Sequence, residues 1–309
     1  MINILRHLQN PVVNRNLLLS QKIKTVARNF LLQNGFSEYD TPVLIPKQGE
    51  KYNHTFDIMI AGQSVSLADS PQIYKLMLSM AGFEKYYQFA HCFRPVESES
   101  DIHKRLCEFV QLDIEMQIPT LFELTKFAES LITEICSAIN TNPKIEYMEG
   151  IYCRKKYGNE MKPDLRKSTA ETSVVFIERI PLTNGERTKG GTLIPCHHIF
   201  AMPSGDFTGA HKDIMENTSA ESFDMVINGI EVGGGDLRIM SRELQEKVMD
   251  IFDVDKKGYA NYLQMLDNYN GKQNGGFAFG LERLVMALSG CNDITQTVAF
   301  PDFYKMGSC

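Results

Sequence analysis

The segment GGFAFGLERLVMALSG, residues 275–290, changes from one periodicity to another at Gly280. Before Gly280 aromatic residues alternate with small ones, which predicts a strand, and after it apolar residues recur at helical spacing. Arg283 lies in the first turn of the predicted helix, where a charged side chain inside an apolar segment needs a partner. The segment therefore predicts a strand that runs directly into an amphipathic helix, with an arginine at the junction.

Helical spacing predicts three earlier helices as well. The first lies within residues 17–36 and stops at Gly35, and the third lies within residues 120–139. The second lies within residues 69–82 and is expected to have Ser70 as its N-cap. Each of the three has one apolar face that can pack on a sheet.

Strands are predicted between these helices, because polar and apolar residues alternate there. The strands do not alternate regularly with helices, so the sequence predicts an α+β fold, an antiparallel sheet flanked by helices. We expect a single domain over residues 1–309. The predicted strands lie within residues 38–44, 86–94, 107–118 and 223–239. The last of these ranges holds two strands joined by a turn at Asn228-Gly229.

The composition excludes several classes of protein. The chain has 309 residues, of which 43% are hydrophobic and 23% charged, and no apolar run of the ~18 residues that span a bilayer. The first residues lack the order of a secretory signal, so we expect a cytoplasmic protein. The seven cysteines never form a C-x-x-C pair, which argues against disulfides and zinc. A net charge of −6 disfavours a large nucleic-acid interface.

Several charged residues lie within the predicted strands or at their ends. Any one of them alone can be explained as part of a structural ion pair. Together, and next to the three glycines at 233–235, they indicate a site for a polyanion and a metal ion. These residues are Arg94, Asp113, Glu115, Asp224, Glu231 and Arg238.

These segments resemble the motifs of class II aminoacyl-tRNA synthetases, and among them the bacterial type of aspartyl-tRNA synthetase. The resemblance covers nearly the whole chain and implies the catalytic fold of that class. GFSEYDTPVL is similar to the first motif, FR together with EFVQLDIEM to the second, and GFAFGLERLVMAL to the third. Matches at the level of the subfamily are SPQIYK, YGNEMKPDLR, CHHIFAMP, FDMVINGIEVGGGDLRI and VAFP.

The resemblance implies an AMP-forming ligase that activates L-aspartate with ATP and Mg²⁺ to aspartyl-adenylate. Both reactants are anionic, so cations must neutralise their repulsion. Arg94 would bind the α-phosphate and the attacking carboxylate, and Arg283 would bind the γ-phosphate. Asp224 and Glu231 would hold Mg²⁺. Glu97 is expected to contact the adenine, although the family has this glutamate two residues after the arginine of the second motif.

The resemblance also assigns the residues that bind the amino acid. Lys75 and Arg238 fall where aspartyl enzymes bind the side-chain carboxylate, and we expect no local acid to neutralise them. Asparagine-specific relatives lack the lysine, which favours aspartate. The two adjacent histidines, taken alone, would fit an ordinary polar loop. The other expected substrate contacts are Gln72, Asp113 and Glu50 at the ammonium end, and His197 and His198 closing the pocket.

The sequence departs from the family pattern in two residues and in its extent. Asp236 stands where the family usually has a serine, and Thr295 where it has an arginine, so positive charge is lost near the ligand. No segment matches the anticodon-binding barrel or the bacterial insertion domain, which predicts a catalytic core alone. A tRNA acceptor is therefore not favoured, because phosphate contacts supply much of the affinity for tRNA.

Three functions are compatible with these observations. The first is an enzyme that transfers the aspartyl group to a small-molecule amine, ammonia, a protein or a tRNA. The second is a catalytically silent binding or regulatory paralogue, and the third is an aspartyl-tRNA synthetase that uses an anticodon module on another chain. A homodimer is predicted as well, through the apolar helix face Leu19, Ile23, Val26, Phe30 and Leu31.

Overall fold

The structure is a computed structural model. It describes residues 4–47, 55–96, 103–158, 171–205 and 218–301. The helices are α1 (Ile4–Leu8), α2 (Pro11–Gln33), α3 (Gln72–Met80), α4 (Leu121–Ala138), α5 (Gly150–Tyr157), α6 (Arg242–Ile251), α7 (Ala260–Asn268) and α8 (Leu281–Ser289). The strands are β1 (Ser37–Glu38), β2 (Leu44–Pro46), β3 (Asp57–Ile60), β4 (Gln63–Leu67), β5 (Lys85–Phe93), β6 (Glu108–Gln117), β7 (Asn142–Glu149), β8 (Glu171–Glu178), β9 (Thr183–Arg187), β10 (Leu193–Pro195), β11 (Ser222–Ile227), β12 (Ile230–Leu237) and β13 (Asn274–Gly280).

An eight-stranded sheet forms the centre of the molecule, in the order β1-β5-β6-β13-β12-β11-β8-β7. The six inner strands pair antiparallel, whereas β1 and β7 at the two edges each pair parallel with their neighbours. Strands β2–β4 and β9–β10 form two small additional sheets. The predicted α+β fold with an antiparallel sheet is therefore confirmed.

The two faces of this sheet have different coverings. Helices α2, α4 and α8 pack on one face, where Leu112, Ile114 and Phe277 belong to the largest hydrophobic core. Because side chains alternate along a strand, Asp113 and Glu115 lie on the opposite face, where α3 contacts β5 and β6. A second core joins α3 to α6 and α7 on that side. The charged face of the sheet is thus closed by α3 and its neighbours.

The apolar face of α2 packs inside the chain, which corrects its expected use as a dimer surface. Ile23 and Leu31 are 1% and 0% exposed, and Leu19, Val26 and Phe30 pack on the same core. The apolar area of Ile23 and Leu31 is therefore already removed from water by the core of the same chain, and that of the other three is partly covered by it. The observed face gives no support to a dimer.

Two predicted boundaries are also corrected. Pro71, not Ser70, precedes the first residue of α3, and no side chain caps that helix end. In the segment 38–44 only its first and last residues belong to strands, β1 and β2. The residues between them belong to no strand, as a Thr41-Pro42 step that lacks an amide donor favours. Tyr39 N–H still donates to the Tyr87 carbonyl at 3.2 Å, and the Val43 carbonyl accepts from Ala68 N–H at 2.8 Å.

The described residues contain neither a membrane-spanning helix nor a disulfide. None of their helices combines the length and the apolar character that crossing a bilayer requires. None of the six described cysteines forms a disulfide, and Cys309 lies outside the described residues.

A β-bulge in β12 decides which side chains reach the charged face. Met225 pairs with Gly233 but the next residue, Val226, pairs with Glu231, so Val232 is an extra residue on β12. Without this bulge Glu231 and Gly234, three positions apart, would point to opposite faces. A Cβ on Gly233 would lie 1.9 Å from the carbonyl oxygen of Ala278 on β13. Only glycine therefore fits at this point of the bulge.

We expect Gly233→Ala to lower the free energy of unfolding by about 2–3 kcal/mol, because the clash is with a neighbouring backbone that no rotamer change relieves. Gly190→Ala is the matched control, since its Cβ would only reach Thr188 Oγ1 at 3.7 Å. Urea unfolding of the two variants measures the difference. If the two variants were equally stable, β12 and β13 could move apart at this point without loss of free energy of unfolding.

Candidate active site

Two acidic side chains face each other across the charged face of the sheet. Asp113 on β6 pairs with Ala278 on β13, Ala278 pairs with Gly234 on β12, and Gly234 pairs with Asp224 on β11. Both residues between the acids are small. A Cβ on Gly234 would lie 2.8 Å from Asp224 Oδ1. This row of the sheet is therefore a shallow depression with a carboxylate at each end.

A second row, two residues along each strand, contains the most buried ion pairs of the site. Glu115 on β6 pairs with Gly276 on β13, and Gly276 pairs with Asp236 on β12. A Cβ on Gly276 would lie 2.2 Å from Glu115 Oε2 and 2.7 Å from Arg238 Nη2. The glycine therefore leaves the space in which one guanidinium can contact carboxylates from two different strands.

Arg238, directly after β12, fills that space. Its Nε and Nη2 donate to Glu115 Oε1 and Oε2 at 2.9 and 2.8 Å, and its Nη1 donates to Asp236 Oδ1 at 2.6 Å. All three side chains are at most 1% exposed. Burial would raise the pKa of Asp236, but Arg238 and His198 lower that pKa well below its ordinary value. Arg238 is thus fully engaged by acids of its own chain.

Lys75 on α3 completes this cluster and corrects an expectation. Its Nζ donates to Asp113 Oδ1 at 2.6 Å and lies 3.5 Å from Glu115 Oε2, with all three side chains at most 2% exposed. Lys75 and Arg238 do converge, since both contact Glu115. The premise that no local acid neutralises them is wrong, because acids from two strands do so.

Gln72 lies one turn before Lys75, at the start of α3. It is 8% exposed, and its Nε2 donor has no hydrogen-bond partner among the described residues. An unsatisfied buried donor at the edge of a charged cluster suits an oxygen of a ligand. The predicted substrate contact at Gln72 is compatible with this position.

The two histidines point in different directions. His197 Nε2 lies 2.9 Å from Asp224 Oδ1, and His198 Nε2 lies 3.0 Å from Asp236 Oδ2. Desolvation opposes the charge on His197, but Asp224 and Asp236 raise its pKa to about 10. Desolvation lowers the pKa of His198, against an opposing effect of Asp236. His197 therefore lies between the two rows, and His198 belongs to the second.

Arg283, in the first turn of α8, is a second arginine of the site. It has fewer partners than Arg238. Its Nη1 lies 3.9 Å from Glu231 Oε1, and its buried Nε has no hydrogen-bond partner in the described part of the chain. Burial lowers the pKa of Arg283, partly offset by Glu231, and Arg94 and Asp224 are close enough to act on it as well. A guanidinium that is desolvated but not neutralised favours an anionic ligand.

Arg94 follows β5 at the same end of the site and is exposed. Its Nε donates to the carbonyl oxygen of Asp69 at 3.2 Å, and its guanidinium lies 5.2 Å from the ring centre of Phe109. These contacts fix the side chain. Among the described residues no acid forms a bidentate ion pair with the guanidinium. Arg94 and Arg283 therefore lie at the same, more exposed end of the site, its open end.

Asp224 and Glu231 fit the requirements of Mg²⁺. Mg²⁺ bound with substrate phosphates commonly takes one or two carboxylates from the protein. The bulge brings both carboxylates to one face, and Glu231, with 41% of its side chain exposed, is accessible to a ligand. In the described ranges no three His, Cys, Asp or Glu side chains form a complete metal site by themselves. The acids fit a metal that arrives with the nucleotide.

Some expected residues are elsewhere, and some residues of the site were not expected. Glu50 and Glu97 lie outside the described residues. Thr295 is 4% exposed and donates its hydroxyl to Asp293 Oδ1 at 2.7 Å, so it closes a local turn. Glu115 was expected among the charged residues of the site but was given no particular role there, and it contacts both Lys75 and Arg238. Its position two residues after Asp113 was the available signal.

Glu282, next to Arg283, is an unexpected residue of the site. Its carboxylate accepts from the backbone N–H of Val110 at 3.1 Å and is 8% exposed. Burial raises the pKa of Glu282 to about 7, against a smaller opposing effect of that hydrogen bond. This contact fastens the first turn of α8, and with it Arg283, to β6.

Comparison with known proteins identifies the class to which this fold and site belong. The chain matches the family of class II tRNA synthetases (D, K and N) over residues 2–303, and it is a member of that family. It is 25% identical to the aspartate–tRNA ligase of Fervidobacterium nodosum, over 98% of this chain and 74% of the relative. It is 24% identical to the aspartate–tRNA(Asp/Asn) ligase of Natranaerobius thermophilus, over 95% of this chain and 72% of the relative.

Solved structures share the fold of this chain. The asparaginyl-tRNA synthetase of Pyrococcus horikoshii in complex with asparaginyl-adenylate superposes with a TM-score of 0.73 and 18% identity, over 95% of this chain and 69% of that chain. A putative aspartyl-tRNA synthetase from Leishmania major superposes with a TM-score of 0.69 and 19% identity, over 94% of this chain and 65% of that chain. At these identities the likeness establishes the fold.

We expect Glu115→Gln to destabilise the protein by about 3–5 kcal/mol, because it leaves part of the buried charge of Arg238 without its partner. The matched control is Glu243→Gln, whose side chain is 80% exposed and pairs only with Lys247. Chemical unfolding at one pH compares the variants. A Glu115→Gln variant as stable as the control would mean that the buried pair contributes nothing to folding.

The raised pKa of Glu282 predicts a pH-dependent stability. Below its ordinary pKa of 4.5 the carboxyl is protonated in both states, and between there and about 7 only the unfolded state loses the proton. The free energy of unfolding should therefore fall as pH rises through this window. Relative to wild type, Glu282→Gln should gain up to about 3 kcal/mol between pH 4.5 and 7.5. A constant difference across that range would contradict the shift.

Proposed function

We propose that this chain activates an amino acid of the aspartate–asparagine group with ATP, forming an aminoacyl-adenylate, and transfers the aminoacyl group to an acceptor. Membership in the family supports a ligase that uses ATP. The single observation that carries the proposal is the buried Nε of Arg283, which has no hydrogen-bond partner among the described residues although Glu231 and Asp224 are close. An anion is needed to complete this arrangement, and a triphosphate supplies one.

The residues at the open end divide the chemistry between them. Arg283 would hold the terminal phosphate, and Arg94 would bridge the α-phosphate and the attacking carboxylate. Bringing these two anions together without cations would be opposed by charge repulsion. Asp224 and Glu231 would hold Mg²⁺, which when bound offsets the charge of the phosphates. His197, paired with Asp224, orients that carboxylate from the opposite side.

The buried end would hold the amino acid. Gln72 has an unused donor there, and Asp113 is a carboxylate within reach of an ammonium group. The aspartate ligases among the relatives favour aspartate as the substrate. The cluster of Lys75 and Arg238 with three acids weakens that choice, so the proposal includes the amide as well as the acid.

Two other functions have specific support. A catalytically silent paralogue would explain why Asp236 occupies Arg238. An aspartyl-tRNA synthetase assisted by an anticodon module on another chain would agree with the names of the relatives. The acceptor is open among a small-molecule amine, ammonia, a protein and a tRNA. A cytoplasmic homodimer built from this single catalytic domain stays a prediction of the sequence.

ATP–pyrophosphate exchange across the twenty amino acids, with Mg²⁺ and without tRNA, tests the proposal. We expect exchange with wild type, and a loss of about 100-fold or more in kcat/KM for Arg283→Ala, the size expected when a transition-state donor is removed. Arg242→Ala, an exposed arginine paired with Glu246 on α6, should leave the rate unchanged.

The outcomes separate the three functions. Binding of ATP without exchange for any amino acid would favour the silent paralogue. Exchange that requires added tRNA would favour a synthetase assisted by another chain. Equal loss in the Arg283 and Arg242 variants would remove the assigned role of Arg283.

A further inference from the structure

The ion cluster at the buried end of the site contains no unpaired cation among its described residues. It comprises Lys75, Asp113, Glu115, Asp236 and Arg238. Each of the three guanidinium nitrogens of Arg238 already donates to a carboxylate of the chain. Lys75 Nζ contacts Asp113, and it shares Glu115 with Arg238. A substrate carboxylate at this point would compete with acids that burial and the backbone hold in place.

The charge of the cluster opposes a further carboxylate. Three carboxylates face two cations in the cluster, and His197, 3.8 Å from Asp236 Oδ2, also pairs with a fourth carboxylate, that of Asp224, so one negative charge is left over before any ligand binds. All five side chains are at most 2% exposed, so water screens this charge poorly. An aspartate side chain would raise the excess to two charges in a desolvated pocket, whereas an amide adds none and an ammonium cancels it.

Asp236 also has an unused acceptor. Its Oδ1 accepts from Arg238, but its Oδ2, fully buried, makes no well-formed hydrogen bond with any described residue. His198 Nε2 and His197 Nδ1 lie 3.0 and 3.8 Å from that oxygen. A buried acceptor without a good partner is costly unless a ligand supplies a donor.

We propose that Asp236 is the specificity-determining residue of the amino-acid site, and that it makes the site reject a side-chain carboxylate and select an α-amino acid whose side chain donates hydrogen bonds. The ligand donor would meet Asp236 Oδ2, and an amide oxygen could accept from the remaining N–H of Lys75. This inference rests on the proposed adenylate-forming function.

Three amino acids test it, because their side chains differ only in the group that follows the β-methylene: a carboxylate, a carboxamide or an ammonium. We expect pyrophosphate exchange with asparagine and with 2,3-diaminopropionate to exceed that with aspartate by about 10-fold or more in kcat/KM, as expected where a mismatched polar group is left unpaired. Aspartate at or above the better of the two would overturn the proposal. This comparison needs only the wild-type protein.

Two variants locate the effect at Asp236. Asp236→Ser and the isosteric Asp236→Asn should both shift the preference about 10-fold or more toward aspartate, because each removes the excess charge. Asp250→Asn removes a carboxylate whose side chain is 68% exposed and should leave the preference unchanged. A preference that is the same in wild type and Asp236→Asn would overturn the assignment.

A binding measurement separates this inference from the proposed function. Calorimetric titration with the non-reactive sulfamoyl analogues of aspartyl- and asparaginyl-adenylate reports the choice of side chain without catalysis. Tighter binding of the asparaginyl analogue without any exchange would leave the specificity intact and refute the enzyme. Tighter binding of the aspartyl analogue, or binding of neither, would overturn the inference.

Discussion

A single guanidinium, that of Arg238, determines how the centre of this protein is organised. It joins Glu115 on β6 to Asp236 on β12 across the strand that lies between them. This bridge is possible because Gly276 on β13 has no side chain in its path. Burying three charged groups is costly, and their mutual contacts offset that cost only if the three strands keep one register. The packing of the sheet and the geometry of the site are thus one constraint.

The two ends of the site differ in how fully they are neutralised. At the buried end, acids of the chain satisfy Lys75 and Arg238. At the open end, Arg283 keeps a buried nitrogen without a partner. A protein stores an unsatisfied charge only at some cost in stability, so such charges commonly mark places where a ligand binds. In the proposed function, phosphates would therefore meet a cation with few partners, whereas the amino acid would meet cations that acids of the chain already satisfy.

The sequence was sufficient for the class of fold and for which residues converge. Periodicity located the main helices and the two hairpins, and the motifs brought Lys75, Asp113 and Arg238 together. It could not give the partners within the cluster, because ion pairing depends on register across three strands. The expectation that Arg238 lacks a local acid failed for this reason, although Asp236 is only two residues away. The face of α2 was likewise ambiguous, since an apolar stripe fits a subunit interface and a core equally well.

The bulge at Val232 has a consequence for how this part of the chain can change. The extra residue places Glu231 on the same face as Asp224. Side-chain direction in a strand reverses with every residue, so the number of residues between Glu231 and Gly234 decides which face Glu231 reaches. Deleting Val232 would turn Glu231 toward the hydrophobic core. This part of the hairpin is therefore constrained in its length as well as in its glycines.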